Sequence, residues 1–315
     1  MKNLTCNLLL SVALLLTPQA QSSETTHLQI QRVDGSSIDY SIRKKPGNID
    51  SSVLLLVVQG SDCNSVQHNK AVSELALAWP EADLLLIEKY GITASLPYAK
   101  DEARVDCPAS YLQMDSLEQR AIDILQVLNE VKDANNYQKL LMIGGSEGAV
   151  VSNLVASRTL LIDASVSFNG GGRWFKDDVI HSIRYGREDS PELQAQIDGF
   201  SEMAAQITAN PEMQGVISGH GSKWWRSTLQ LDQLAVLNQL KSPVLIIQGD
   251  RDQAVSVHNT DKMIDSLLQP AKANVEYKKY PGLDHSFRSA DGETQLFRVV
   301  ADINQWFATK IKLDE

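Results

Sequence analysis

The residues with the clearest chemical content are Gly144-Gly145-Ser146-Glu147-Gly148, preceded by an apolar run at 140–143 and followed by a helix-forming stretch to Val155. A buried strand that turns sharply through a serine into a helix leaves the hydroxyl exposed at the carboxyl end of the strand. Glycines are required on either side because neighbouring elements crowd such a turn and its backbone angles are strained. The pattern predicts Ser146 as a nucleophile. It also aims the backbone amide of Glu147, at a helix start, toward a developing negative oxygen. The Glu147 carboxylate reads equally well as an attractor for a substrate amine and as a solvated helix-start charge.

A nucleophile of this kind needs a sheet beneath it. Residues 27–33 and 37–42 alternate apolar and polar side chains around Asp34-Gly35, the pattern of an antiparallel hairpin. Continuous apolar runs at 53–58 and 140–143 suit strands buried on both faces, 83–88 reads as another buried strand, and 161–168, 243–248 and 275–280 supply further strands. Between them, 71–79 reads as a short helix and 90–111 as a loop. A long helix starts at a D-x-x-E signal formed by Asp115 and Glu118 and runs to about Val131, with Leu117, Ile122, Ile124, Leu125, Leu128 and Val131 near helical spacing. The last helix covers about 294–310. Strands alternating with helices after an antiparallel start predict an α/β fold with a mainly parallel sheet and helices on both faces. The stretch 170–240 breaks the alternation and is expected to be a helical lid insertion over the carboxyl ends of the strands.

With these residues in view, the chain resembles the α/β-hydrolase superfamily, and is similar to its bacterial esterase and prolyl-oligopeptidase-like branch. The resemblance covers nearly all of residues 23–315, is specific at three loops, and weakens across the lid. It implies the chain order nucleophile, acid, histidine. Gly249-Asp250-Arg251-Asp252 after the strand at 243–248 resembles the family's G-x-x-D, which implies Asp252 as the catalytic acid, with Asp250 bracing the turn. Of six histidines, His285 in Tyr280-Pro281-Gly282-Leu283-Asp284-His285 follows the final strand, where the family carries its base. A neutral imidazole would take the serine proton, and the carboxylate would fix its tautomer and stabilise the imidazolium. The same resemblance implies that the loop Gln59-Gly60-Ser61-Asp62-Cys63 supplies the second oxyanion donor, the amide of Ser61. Gln59 departs from the histidine that many relatives carry there.

Cys63 and Cys107 follow two strands expected to be parallel, so both emerge at one sheet edge, and a disulfide between them is expected; the alternative is two free buried thiols. In the insertion, Trp174, Trp224 and Trp225 either line an acyl or aromatic pocket or pack the insertion's own core. Lys223 and Arg226 flank the tryptophans as candidates for a substrate carboxylate.

The N-terminus has another purpose. Lys2 is the only charge before Glu24 and residues 4–16 are mostly apolar, which predicts a signal peptide over 1–22 and an exported, periplasmic or secreted protein. A run of thirteen residues is too short to span a bilayer of about 30 Å. The formal charge of −10 without a basic cluster disfavours nucleic acid and anionic membranes as partners. No H-E-x-x-H, paired C-x-x-C or G-x-G-x-x-G is present, so no metal and no cofactor is expected. The expected activity is hydrolysis of a small-molecule ester through an acyl-enzyme on Ser146. Cleavage of a short peptide by the same residues is the rival, and a non-catalytic binding protein on a hydrolase scaffold is the third reading.

Overall fold

A computed structural model of the chain describes residues 24–311, except 46, 48, 49, 102, 103, 270 and 271. The expected signal peptide at 1–22 therefore lies outside the described residues. In chain order the elements begin with β1 (Thr25–Gln31), β2 (Ser37–Arg43), β3 (Val53–Val58), α1 (Lys70–Leu75), β4 (Asp83–Ile87), α2 (Ala109–Met114) and α3 (Leu117–Ala134). The nucleophile region contributes β5 (Lys139–Gly145), α4 (Glu147–Arg158) and β6 (Ala164–Phe168). Then come α5 (Phe175–Arg184), α6 (Pro191–Ala209), the two short strands β7 (Val216–Ile217) and β8 (His220–Gly221), α7 (Ser222–Gln230) and α8 (Gln233–Gln239). The chain returns to the sheet through β9 (Val244–Gly249), α9 (Val257–Leu268), β10 (Val275–Tyr280) and α10 (Leu296–Lys310).

The large sheet has the order β1-β2-β4-β3-β5-β6-β9-β10. Strand β2 pairs antiparallel with both β1 and β4, and every other neighbouring pair is parallel. A parallel sheet has its carboxyl ends on one rim, so the loops after β3, β5, β9 and β10 gather there.

Alternation within the strands sorts the core into two layers. Leu54, Leu56 and Val58 of β3 and Leu140 and Met142 of β5 face Val127, Leu128, Leu154 and Ile264 of α3, α4 and α9. The intervening Val53, Leu55, Val57, Leu141 and Ile143 face Val72 and Leu75 of α1 and Val299, Ile303 and Phe307 of α10. This two-sided burial is why β3 reads as an unbroken apolar run. Strand β10, at the outer edge, instead carries charge. Its Glu276 and Lys278 pair with Lys310 and Asp302 of α10, and its Lys279 pairs with Asp261 of α9.

Two local expectations change. The stretch 90–111 is not all loop, because α2 begins at Ala109 and buries Tyr111. The start of α3 is capped by Ser116, whose hydroxyl accepts from the Gln119 amide at 3.0 Å. Asp115 is buried just before it. A hydroxyl one residue later served as the cap, leaving the carboxylate to turn inward.

The ring of Phe307 is fully buried and meets Trp79 edge-on at 6.4 Å. Phe307→Ala is expected to cost about 3–5 kcal/mol, through lost transfer energy and the cavity left behind. Urea denaturation would measure it, and a loss below about 1 kcal/mol would contradict this account of the α10 layer.

Candidate active site

Ser146 sits between β5 and α4 with φ 54° and ψ −127°, a region that residues with a side chain rarely occupy. Packing imposes the turn. The Ser146 amide donates to the Phe168 carbonyl of β6 at 2.9 Å. A Cβ on Gly144 would come within 2.1 Å of the Gly148 carbonyl oxygen, and one on Gly148 within 2.2 Å of the Val58 carbonyl oxygen. Neither position can carry a side chain unless backbone moves.

His285 and Asp252 meet although 33 residues apart, with Nδ1 at 2.8 and 3.0 Å from the two carboxylate oxygens. Asp252 is 1 % exposed. Its Oδ1 accepts from the amides of Ala254 at 2.8 Å and Val255 at 3.0 Å, and its Oδ2 from Gln248 Nε2 at 3.0 Å. Three N–H donors thus aim the carboxylate before the imidazole arrives. With Nδ1 turned to Asp252, the other ring nitrogen is left for the cleft, which His285 lines together with Ser146. Asp250 has a different part, accepting from the Gly282 amide at 2.6 Å and so joining the loop after β9 to the loop after β10.

Two clefts meet at Ser146. One, of about 560 Å3, is lined by Ser61, Ser146, Val150, Phe175, Trp224 and Leu231 among others. The second, of about 680 Å3, is lined by Gly60, Ser146, Phe168, His285, Val72 and Leu75 among others. Ser61 belongs to the first, and a Cβ on Gly60 would lie 3.7 Å from that of Ser146. The loop at 59–63 therefore packs directly beside the serine. Its end is tied by a disulfide between Cys63 and Cys107, with Cα atoms 6.0 Å apart. Closing a loop of this length stabilises by about 4 kcal/mol on the chain-entropy model.

Of the three tryptophans, Trp224 lines the first cleft. Trp225 packs with Ile207, Phe175 and Phe200 in a cluster among α5, α6 and α7 and donates to the Ile217 carbonyl at 3.0 Å. Trp174 is 37 % exposed, beneath the Arg173 guanidinium. The Arg226 guanidinium is spent on the carbonyls of Ile207 and Asn210 at the end of α6.

The Glu147 carboxylate is not a solvated charge. It is buried, accepts from Arg120 Nη1 on one oxygen, and from Trp224 Nε1 at 2.6 Å on the other. Burial by itself would raise its pKa, but Arg120, Lys89 and His220, with the Trp224 hydrogen bond, outweigh it and hold the carboxyl below its usual range. Sequence inspection also passed over Asn169, buried after β6 at φ 50°. Its side chain donates to the His285 carbonyl at 2.8 Å and accepts from the Gly249 amide at 2.9 Å. One amide group thus fastens the histidine loop to β9. The signal was faint: an asparagine at a strand end before Gly170-Gly171-Gly172, tolerant of positive φ. Among the described residues no group of three or more His, Cys, Asp or Glu side chains is placed to hold a metal ion, and no helix is long and apolar enough to cross a membrane.

His220 stacks on Trp224 with ring centroids 3.8 Å apart, and burial pushes its pKa down from 6.5 to about 4. The unfolded imidazole takes a proton below about 6.5 that the folded one refuses until about 4, so this contribution to stability is lost as pH falls through that window. Asp178 acts oppositely. Burial raises it to about 7, so its contribution fades as pH rises from about 4 to 7. The variant His220→Phe isolates the first effect: relative to the unmodified chain it should gain on the order of 2 kcal/mol between pH ~7.5 and pH ~4.5. Urea midpoints at the two pH values would measure it, and an unchanged difference would contradict the burial of a neutral imidazole.

Comparison with known proteins bears on the family and the fold. Residues 114–314 match the prolyl oligopeptidase family, a segment that holds Ser146, Asp252 and His285 but not the loop at 59–63. No curated protein matches the chain in sequence. Among solved structures, the chain is similar to Est1E from Butyrivibrio proteoclasticus, at 14 % identity over 90 % of this chain and 98 % of that one, with a TM-score of 0.58. It is similar to the Pyrococcus furiosus esterase Pf2001, at 14 % identity, 92 % coverage of both chains and TM-score 0.58. It is also similar to a puromycin-hydrolyzing peptidase of Mycobacterium tuberculosis, at 13 % identity over 93 % of this chain and 40 % of that one, TM-score 0.61. With a mainly parallel sheet of eight strands and a family match over most of its length, the chain belongs to the prolyl oligopeptidase family of α/β-hydrolases and is a serine hydrolase.

Proposed function

We propose that the chain hydrolyses carboxylic esters with apolar acyl groups, through an acyl-enzyme on Ser146. His285 acts as general base and then general acid, and Asp252 holds its tautomer and stabilises the imidazolium. The Ser146 oxygen attacks the carbonyl carbon as its proton passes to His285. The carbonyl oxygen takes the negative charge and rests against the amides of Ser61 and Glu147. As the intermediate collapses, the carbon–oxygen bond to the alcohol breaks and His285 gives its proton to that leaving oxygen. Water then repeats the sequence on the acyl-enzyme and frees the acid.

One observation carries the assignment: His285, braced on Asp252 at 2.8 Å, shares a cleft with a serine held at positive φ. The two clefts divide the substrate. The leaving group must lie on the histidine side to receive a proton, so it belongs in the cleft with His285. The acyl group then enters the cleft walled by Val150, Phe175, Trp224 and Leu231. Residues 170–240, whose helices α5 and α7 supply Phe175 and Trp224 to that wall, serve as its lid.

Ester cleavage is favoured over removal of amino-terminal residues by the state of Glu147. A substrate ammonium needs an unengaged carboxylate, and this one is already held by Arg120 and Trp224. The disulfide, a bond that persists in oxidising compartments, supports export, in keeping with the signal peptide read at 1–22.

A fluorophosphonate probe should label Ser146, and Ser146→Ala should abolish labelling and lower ester turnover by at least ~10⁴-fold. Asp252→Asn should retain the fold and lose ~10⁴-fold in kcat. Nitrophenyl esters of apolar acids should be cleaved in preference to aminoacyl anilides. Labelling that persists without Ser146 would end the assignment; faster cleavage of the anilides would make the chain a peptidase, and no turnover of either a binding protein.

A further inference from the structure

The loop at 59–63 is gripped from behind. Four successive carbonyls each accept from a buried side chain that lies outside both clefts at Ser146. Gln59 O accepts from Arg120 Nη2 at 2.8 Å, Gly60 O from Lys89 Nζ at 2.6 Å, Ser61 O from Tyr111 OH at 3.1 Å, and Asp62 O from Lys89 Nζ again. Lys89 and Arg120 line a separate small cavity with Gln59, behind the loop. Across a trans peptide, a carbonyl and the next amide point in opposite directions, and the chain has no cis peptide among its described residues. Fixing the carbonyls of Gln59, Gly60 and Ser61 on one side therefore turns the amides of Gly60, Ser61 and Asp62 to the other. That other side is where Ser61 meets Ser146. The Ser61 amide donates to no group in the structure among the described residues.

Building on the proposed ester hydrolysis, we infer that Lys89 and Tyr111 are positioning residues that aim the oxyanion donors by holding the carbonyls of the loop. Arg120 joins both halves of the oxyanion site, since the same guanidinium reaches Gln59 O on one loop and the carboxylate of Glu147, whose amide is the other donor. Lys89 is buried, and few buried lysines persist without a specific set of acceptors. Its acceptors are the two loop carbonyls, with Glu147, Asp115 and Asp62 as nearby negative charges and Arg120 as a nearby positive one. Neither Lys89 nor Tyr111 lines a cleft at Ser146, so removing either leaves the substrate's own contacts in place while releasing the amides from their direction. Loss of one oxyanion donor typically lowers kcat by about 10²–10³-fold.

The experiment uses the full chain and a nitrophenyl ester of an apolar acid. Lys89→Met should lower kcat by ~10²-fold and slow fluorophosphonate labelling in proportion, with KM within about threefold. Tyr111→Phe, which removes only one oxygen, should lower kcat by about tenfold with KM unchanged and melting temperature near that of the unmodified chain. A folded Lys89→Met with kcat within twofold, or losses confined to KM, would overturn the inference. Should Lys89→Met fail to fold, Tyr111→Phe decides alone: full kcat refutes, and a kcat loss with KM intact supports. Ser146→Ala is measured alongside. Turnover surviving in that variant would sink the hydrolase assignment itself, whereas a dead Ser146→Ala with a fully active Lys89→Met would sink only the positioning role.

Discussion

The turn at Ser146 is the constraint on which the other loops depend. A serine at φ 54° carries a strain of order 1–3 kcal/mol, and such strain persists only when its surroundings over-determine it. Here they do. The preceding strand is central in the sheet, the following helix is buried for most of its length, and the Ser146 amide is anchored to β6. Because Gly148 lies against the Val58 carbonyl, the turn also fixes how near β3 and its outgoing loop can come. The hydroxyl, the oxyanion loop and the helix start are therefore set by one packing arrangement.

Around that turn, polar groups fasten loops that the sheet only brings close. Asn169 links the histidine loop to β9, Asp250 links β9 to the loop after β10, and Gln248 steadies Asp252. Asp178 accepts from the amides of Gly172 and Ser256, tying the insertion to the start of α9. Asn169 and Asp178 thereby satisfy the amides of Gly249, Gly172 and Ser256, which would otherwise be buried without a partner at a cost of about 1–3 kcal/mol each. Positive φ recurs at Asn169 and Phe287, both in these loops. Strain and polar fastening coincide where the chemistry needs fixed geometry.

Much of this was legible in the residues. The continuous apolar runs at 53–58 and 140–143 announced buried parallel strands, because no alternation is needed when both faces are covered. The glycines around Ser146 announced a crowded turn. Helix α2 was hidden because Ala109–Met114 offers one turn and a half with little periodicity. Glu147 and Lys89 were harder. A glutamate at a helix start and a lysine after a strand look like solvated charges, and only the converging partners from α2, α3, α7 and the loop at 59–63 make them interior residues. Charge pairing across distant segments leaves no local pattern, so a single sequence could not disclose it.

The outer strand β10 ends the large sheet on one flank. An unpaired strand edge is a template for another strand, and proteins blunt it with charge. Here three charged side chains lie along the strand and each is engaged, Glu276 with Lys310, Lys278 with Asp302 and Lys279 with Asp261. A neighbouring sheet approaching laterally would have to strip water from these pairs before any ladder formed. On this flank the ion pairs therefore oppose lateral growth of the sheet.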